Sequence, residues 1–197
     1  MRDELVQAAE ELLAERGSAE QVPVAEIVRR VGVTAPVLYQ HFADKDALFV
    51  AVHARRMDDF RDALRRSGRR TTSPLESLER RGRAYIRYAT TKPDTYVALF
   101  MTPKSLPDEF FDDPSMRALT AFDDLVGNIR ACIDSGEIPA ADPEVLARVV
   151  WAQVHGLASL LITMPEIART AAERSALVER LVAAITAGLV AGTPASR

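Results

Sequence analysis

A chain of 197 residues, 48% hydrophobic and 27% charged with a net charge of −3, is long enough to bury one sizeable core, or a small head domain beside a larger body. Its single cysteine, Cys132, excludes an internal disulfide and any multi-cysteine metal site, a usage that fits a reducing cytoplasm. The opening residues, MRDELVQAAEELL, are acidic and amphipathic rather than signal-like, and the longest mostly apolar run, 149–164, is broken by Gln153, His155 and Ser159 and falls short of the roughly 20 residues of a bilayer span. No membrane partner is therefore expected. Charge is uneven: residues 1–54 carry five Lys/Arg against nine Asp/Glu, 55–92 twelve against five, and 93–197 eight against fourteen. The basic middle segment suits a polyanion, or equally a solvated arginine face with partners one helical turn away.

Strand signals are nearly absent, whereas helical periodicity runs almost throughout. The first helix spans about 2–16, with Leu5, Ala8, Ala9, Leu12 and Leu13 on one face and Gly17 as its stop. Short helices follow near 24–31 and 34–41, and a long one covers 45–67. The turn-rich SGRRTTSP after it is a candidate domain boundary. Ser73 and Pro74 then look like the cap and first-turn proline of a helix whose face carries Leu75, Leu78, Gly82, Tyr85 and Ala89. Pro93 opens a shorter helix with Tyr96 and Phe100 one turn apart, and KSLPDEFFDDPS is expected to be a connecting loop. A helix bearing Leu119, Phe122, Val126, Ile129 and Ile133 stops at Gly136, an apolar one runs from Pro143 to about Thr163, and the last covers about 172–189.

The two short helices around Val31-Gly32-Val33 fit a helix-turn-helix over about 23–42, the glycine allowing the tight turn. Thr34 is placed to cap the second helix with its hydroxyl, and Pro36 is tolerated in the first turn. Val37, Leu38 and Phe42 are spaced to pack on the first helix and Ile27, which leaves Tyr39, Gln40 and His41 outside. Those three offer bonds to phosphate or base edges. Lys45, at the next helix start, adds a charge that favours the same phosphate. A plain helical hairpin with core aromatics satisfies the same spacing.

The run AEIVRRVGVTAPVLYQHFADKDALFVAV, after AAEELLAERG, closely resembles the TetR family of transcriptional repressors over residues 1–55. The resemblance implies that Thr34, Tyr39, His41 and Lys45 contact the DNA backbone, and that Ala35, Pro36 and Gln40 occupy positions that meet bases. Two departures matter. Val22, Pro23 and Val24 stand where hydroxyls are common, and Ala35 and Pro36 offer no base-edge hydrogen bonds, so readout would rest on Gln40, thymine methyls and DNA shape.

In the C-terminal half, RYATTKPDTYVALF and WAQVHGLASLL resemble a TetR subgroup with a Trp-His-Gly signature, here Trp151, His155 and Gly156. That implies a helical ligand-binding and dimerising domain. Trp151 and His155 share a helix face, and Gly156 would let another helix approach closely. Tyr85, Tyr88, Tyr96, Phe100 and Phe122 would line an apolar site with Trp151, His155 supplying a polar handle; ordinary core packing with a satisfied histidine is the other reading. The last two helices carry apolar faces wide enough for a two-fold interface.

No Gly-x-Ser-x-Gly elbow, phosphate-binding glycine loop or His-Glu-x-x-His pair occurs, and Cys132 lies on an apolar face as a core thiol. The chain therefore reads as an all-α protein of about nine helices with no catalytic residue, metal or cofactor: a helix-turn-helix domain over 1–55 and a ligand-binding, dimerising domain over 56–197. The function expected is a cytoplasmic, homodimeric repressor on a palindromic double-stranded operator, released by a small apolar or aromatic inducer. A helical small-molecule-binding protein that does not use DNA is the alternative, favoured by the acidic first helix.

Overall fold

The computed structural model describes residues 1–101 and 121–192. Nine α-helices and no strand occur among them: α1 (Arg2–Arg16), α2 (Val24–Val31), α3 (Ala35–His41), α4 (Lys45–Ser67), α5 (Pro74–Thr91), α6 (Pro93–Phe100), α7 (Ala121–Asp134), α8 (Pro143–Thr163) and α9 (Ala171–Ala191). A 3-10 turn, Pro165–Ile167, separates α8 from α9. The expected loop KSLPDEFFDDPS and Leu119 lie outside the described residues. The chain divides into two units within α4, between Asp58 and Asp59. The boundary is thus not the SGRRTTSP turn, which belongs to the second unit: the Ser77 hydroxyl donates to the Gly68 carbonyl (3.3 Å) and pins the turn to α5.

The first unit is built on α1. Its apolar face buries Leu5, Ala8, Ala9 and Leu12, and Val22, Ile27, Leu38, Phe42, Leu48 and Val52 close over it. Gly17 and Gly32 end α1 and α2 at φ +83 and +78, a left-handed conformation that costs other residues about 1 kcal/mol or more. Ion pairs then fasten the helices. Arg16 grips both oxygens of Glu26 (2.9 and 3.0 Å), and Arg30 forms a two-pronged pair with Glu15 (2.8 and 3.1 Å). Glu10 holds Arg56 of α4 at 3.0 Å and Arg55 at 3.5 Å, and Arg56 is only 8% exposed.

In the second unit the starts of α5, α8 and α9 have free N–H groups answered by side chains. Ser73 accepts from the Glu76 N–H, while Glu137, just beyond α7, accepts from the Leu75 N–H at 3.1 Å. Asp142 caps α8, and Thr170 with Glu173 forms a capping box on α9. Gly82 of α5 sits where α8 and α9 converge: a Cβ there would touch Val154 and Val182, each at 3.8 Å. Gly156 behaves otherwise, since a Cβ on it would meet nothing within 4 Å, so the close approach expected there is not made among the described residues. Cys132 is fully buried, its thiol pushed up to about 11 by burial, which suits a packing role.

The apolar helix α8 spans Pro143–Thr163 as expected, but the expectation that it falls short of a bilayer span needs revision: its 21 residues, with a mean hydropathy of 1.6 over the most apolar 18-residue stretch, are long and apolar enough to cross one on length and composition. The interrupting polar side chains are met within the fold, Gln153 turning back on the Val149 carbonyl (3.2 Å) and His155 finding tyrosine partners.

Removing Arg56 leaves the half-buried Glu10 with only a solvent-screened partner. Urea denaturation of Arg56→Ala should show a loss of about 1.5–3 kcal/mol, against less than about 1 kcal/mol for the more exposed Arg55→Ala. Equal losses would refute this assignment of the pair's weight.

Candidate functional site

Two surfaces carry the sequence-derived residues, one in each unit. In the first, α3 drives Leu38 into the core at 0% exposure with Phe42 at 5%, and this orients the helix. Tyr39, Gln40 and His41 are consequently exposed, Tyr39 to 52%, together with Thr34 and Pro36, while Ala35 is half-buried. Thr34 occupies the N-cap position with extended backbone, but its side chain makes no capping bond. The expected cap is therefore absent, and the exposed hydroxyl stays uncommitted to the helix.

Lys45 is half-buried, its ammonium donating to the Glu20 carbonyl at 3.4 Å and lying 5.8 Å over the Phe49 ring. The start of α4 already has an anion: Asp44 accepts from the Ala47 N–H at 2.7 Å. A phosphate at Lys45 would thus be held by the ammonium rather than by a vacant helix end. Val22 is fully buried, so the position where a hydroxyl was anticipated serves the core.

In the second unit the structure gathers all seven predicted aromatic and histidine residues into one cluster. Tyr85, Tyr96 and Phe100 stack at ring separations of 5.0–6.2 Å, His155 lies 5.7 Å from Tyr96, and Trp151 is 5.9 Å from His155 and 6.0 Å from Phe122. Tyr88 joins through Phe60 of α4, which sequence reasoning missed. Phe60 is fully buried, in edge contact with Tyr85, Tyr88 and Phe100 at 5.1–5.2 Å. The signal was present, since Leu48, Val52, Arg56 and Phe60 recur every four residues along α4. Tyr85, Tyr88 and Tyr96 form the buried inner part; Phe100, Phe122, Trp151 and His155 form a partly accessible rim.

A hydrogen-bond chain threads the cluster. The Trp151 indole donates to the Tyr85 hydroxyl (3.1 Å), the two tyrosine hydroxyls are 2.9 Å apart, and Nδ1 of His155 lies 2.6 Å from Tyr96 and 3.2 Å from Tyr85. Burial raises both phenols above their ordinary value of 10.0 and holds the imidazole below its ordinary 6.5. Every polar group of the chain is therefore neutral near pH 7.

Because the folded state binds the His155 proton less readily than the unfolded chain, its contribution to stability is present above pH 6.5 and declines as pH falls through the folded value. Trp151 is the sole tryptophan, and an imidazolium beside it quenches indole emission. Tryptophan fluorescence should drop on acidification with a midpoint below 6.5, and His155→Gln should abolish the step. A midpoint at or above 6.5 would contradict the burial argument.

Comparison with known proteins finds matches in both halves of the chain. Residues 5–52 match the model of bacterial regulatory proteins of the tetR family, and 78–185 match the tetracyclin repressor-like C-terminal domain. The activator FasR of Mycolicibacterium smegmatis is 33% identical over 99 residues, half of this chain and 45% of FasR. Among solved structures, FadR of Bacillus subtilis in complex with stearoyl-CoA superposes with a TM-score of 0.73 at 16% identity, covering 95% of this chain and 99% of that one. A tetR-family regulator from Shewanella gives 0.67 at 21% identity over 93% and 96%. With models matching in both halves, this chain belongs to the TetR family of transcription regulators, a family of DNA-binding regulators rather than enzymes.

Proposed function

We propose that the chain is a homodimeric, ligand-responsive regulator that grips a palindromic operator through α2 and α3 and lets go when a small apolar or aromatic molecule binds the body, so that it acts as a repressor. The observation that carries the reading is the division of α3 into a core side, Leu38 and Phe42, and an exposed side, Tyr39, Gln40 and His41. Thr34, Tyr39, His41 and Lys45 are assigned to phosphates, and Ala35, Pro36 and Gln40 to base edges. The domain limits that go with this reading are 1–55 for DNA and 56–197 for ligand and partner. The acidity of α1 does not argue against it, because Glu10, Glu11 and Glu15 are all paired with arginines of the same unit.

The aromatic cluster around Tyr85, Tyr88, Tyr96, Phe100, Phe122, Trp151 and His155 is assigned to the ligand. That FadR of Bacillus subtilis was determined with stearoyl-CoA supports an apolar acyl group as one occupant. The exposed side of α8 supports the dimer. Val145, Val149 and Leu160 are 49%, 51% and 44% exposed and fall on one stripe with Gly156, whose open surroundings would admit a partner's helix. On α9 Ala183, Ala184, Ala187 and Gly188 are exposed small residues that permit close packing. Residues of α4 belong to both units, and a coupling of roughly 1–3 kcal/mol through such an element is enough for a useful switch. The relative named as an activator favours a second reading, in which the same operator complex promotes transcription.

Selection of genomic fragments by the purified protein at two salt concentrations tests the DNA assignment. A palindrome should be enriched, weakened by salt, and lost with Tyr39→Ala, Lys45→Ala; Lys45→Ala alone should lower the salt slope by about one phosphate. No enrichment, or identical behaviour of the variant, would leave the non-DNA alternative standing. A promoter reporter then distinguishes repression from activation. For the dimer, Leu160→Glu should convert the particle to monomer by sedimentation equilibrium with its helical content intact, and an unchanged mass would remove α8 from the interface.

A further inference from the structure

We infer that the aromatic cluster selects ligands that present a neutral hydrogen-bond acceptor, such as the carbonyl of an ester, thioester or ketone, over the matching carboxylate, with His155 and Ser159 as the polar contacts. The inference rests on the ligand assignment above and adds to it the charge state and bonding role of the ligand's polar group.

The bonding role follows from proton accounting. An indole N–H only donates, so the Tyr85 oxygen accepts from Trp151. Tyr85 then gives its own proton to Tyr96, 2.9 Å away, and Tyr96 gives its proton to Nδ1 of His155 at 2.6 Å. This order uses every proton of the chain. Were Nδ1 protonated, the sequence would reverse: His155 would donate to Tyr96 and Tyr96 to Tyr85, leaving the Tyr85 proton without an acceptor in the chain. The ring is thus fixed as the neutral tautomer with its proton on Nε2, and what it still offers is a donor.

Ser159 supplies the second group. It stands one turn after His155 on α8, near enough to Tyr96 to act on its phenol, yet its buried hydroxyl oxygen makes no hydrogen bond of good geometry among the described residues. A buried polar atom in that condition is costly unless something completes it. An imidazole N–H and a hydroxyl one turn apart suit one carbonyl oxygen.

Charge disfavours the acid. Trp151, Tyr85, Tyr96, His155 and Ser159 are all neutral, and a carboxylate entering among them would lose its hydration without gaining a cation from these groups. Among the described residues, Lys92 lies over the ring of Tyr88, 5.1 Å away, at the exposed end of α5.

Trp151 provides the readout. Its emission is titrated at pH 7.5 with dodecanoate, with methyl dodecanoate, and with an alkyl ether of matched length that lacks the carbonyl. The ester should bind at least tenfold more tightly than both. In His155→Leu and Ser159→Ala, each verified as folded by circular dichroism, its advantage over the ether should shrink at least fivefold while ether binding stays within twofold. If dodecanoate binds as tightly as the ester, or if the variants keep the full ester preference over the ether, the inference is overturned and the ligand assignment stands. If none of the three compounds alters the emission, both fall.

Discussion

Tyr96 sits on a helix of eight residues and is completely buried, yet it carries a hydroxyl that an apolar interior cannot leave unmet. The two partners that meet it come from different helices, Tyr85 from α5 and His155 from α8. That single requirement fixes α5, α6 and α8 in rotation and along their axes, because a shift of one residue on any of them would carry its side chain out of reach. Trp151 closes the arrangement by bonding back to Tyr85 from the same helix as His155. Apolar packing around Phe60 supplies the bulk of the stabilisation, but greasy faces tolerate many registers. The polar chain selects one.

The first unit meets a similar demand with full charges. Its core is small, and three acidic residues of α1 reach out to arginines of α2 and α4. Most of these pairs are exposed and individually weak, so their main effect is orientation. They hold α2 across α1, and the glycine turn then delivers α3 with Leu38 inward. The same pairs consume negative charge that would otherwise repel a polyanion. An acidic helix and a nucleic-acid interface thus coexist within fewer than sixty residues.

Helix positions were legible in the sequence because each helix is amphipathic and bounded by residues with a mechanism: Gly17, Gly32, Pro74, Pro93 and Pro143. The cluster was legible as a set of residue types on repeating faces. What could not be read was which faces meet. Nothing local says that Arg30 reaches Glu15, or that Phe60, fifteen residues into α4, packs on Tyr85 and Tyr88. Gly156 shows the same limit from the other side: a glycine in an apolar helix signals close approach, but not by which neighbour, whereas Gly82 is the one that α8 and α9 approach. The Thr170–Glu173 capping box, whose signature stands in the sequence, sets the start of α9 one residue earlier than its apolar pattern suggests. Thr34 is the converse case, a residue of the right type at the cap whose hydroxyl does not cap.

The two proposed activities of the body converge on one helix. Along α8, Ala147, Val150, Val154 and Ala158 point into the core, and Trp151, His155 and Ser159 follow on the adjoining flank. Val145, Val149, Gly156 and Leu160 lie opposite the core side by the 100° advance per residue. A helix packed on one side by rings and, in the proposed dimer, on the other by a symmetry mate would move as a stiff rod, so a ligand that shifts His155 would also shift the partner-facing stripe. Side chains that sense and side chains that associate are then separated by less than one helical turn, and no long relay of contacts is needed between them. In a two-fold dimer each displacement would be doubled across the axis. Among the described residues only 28% of the most apolar stretch of α8 is buried, which leaves apolar surface for both the proposed site and the proposed interface.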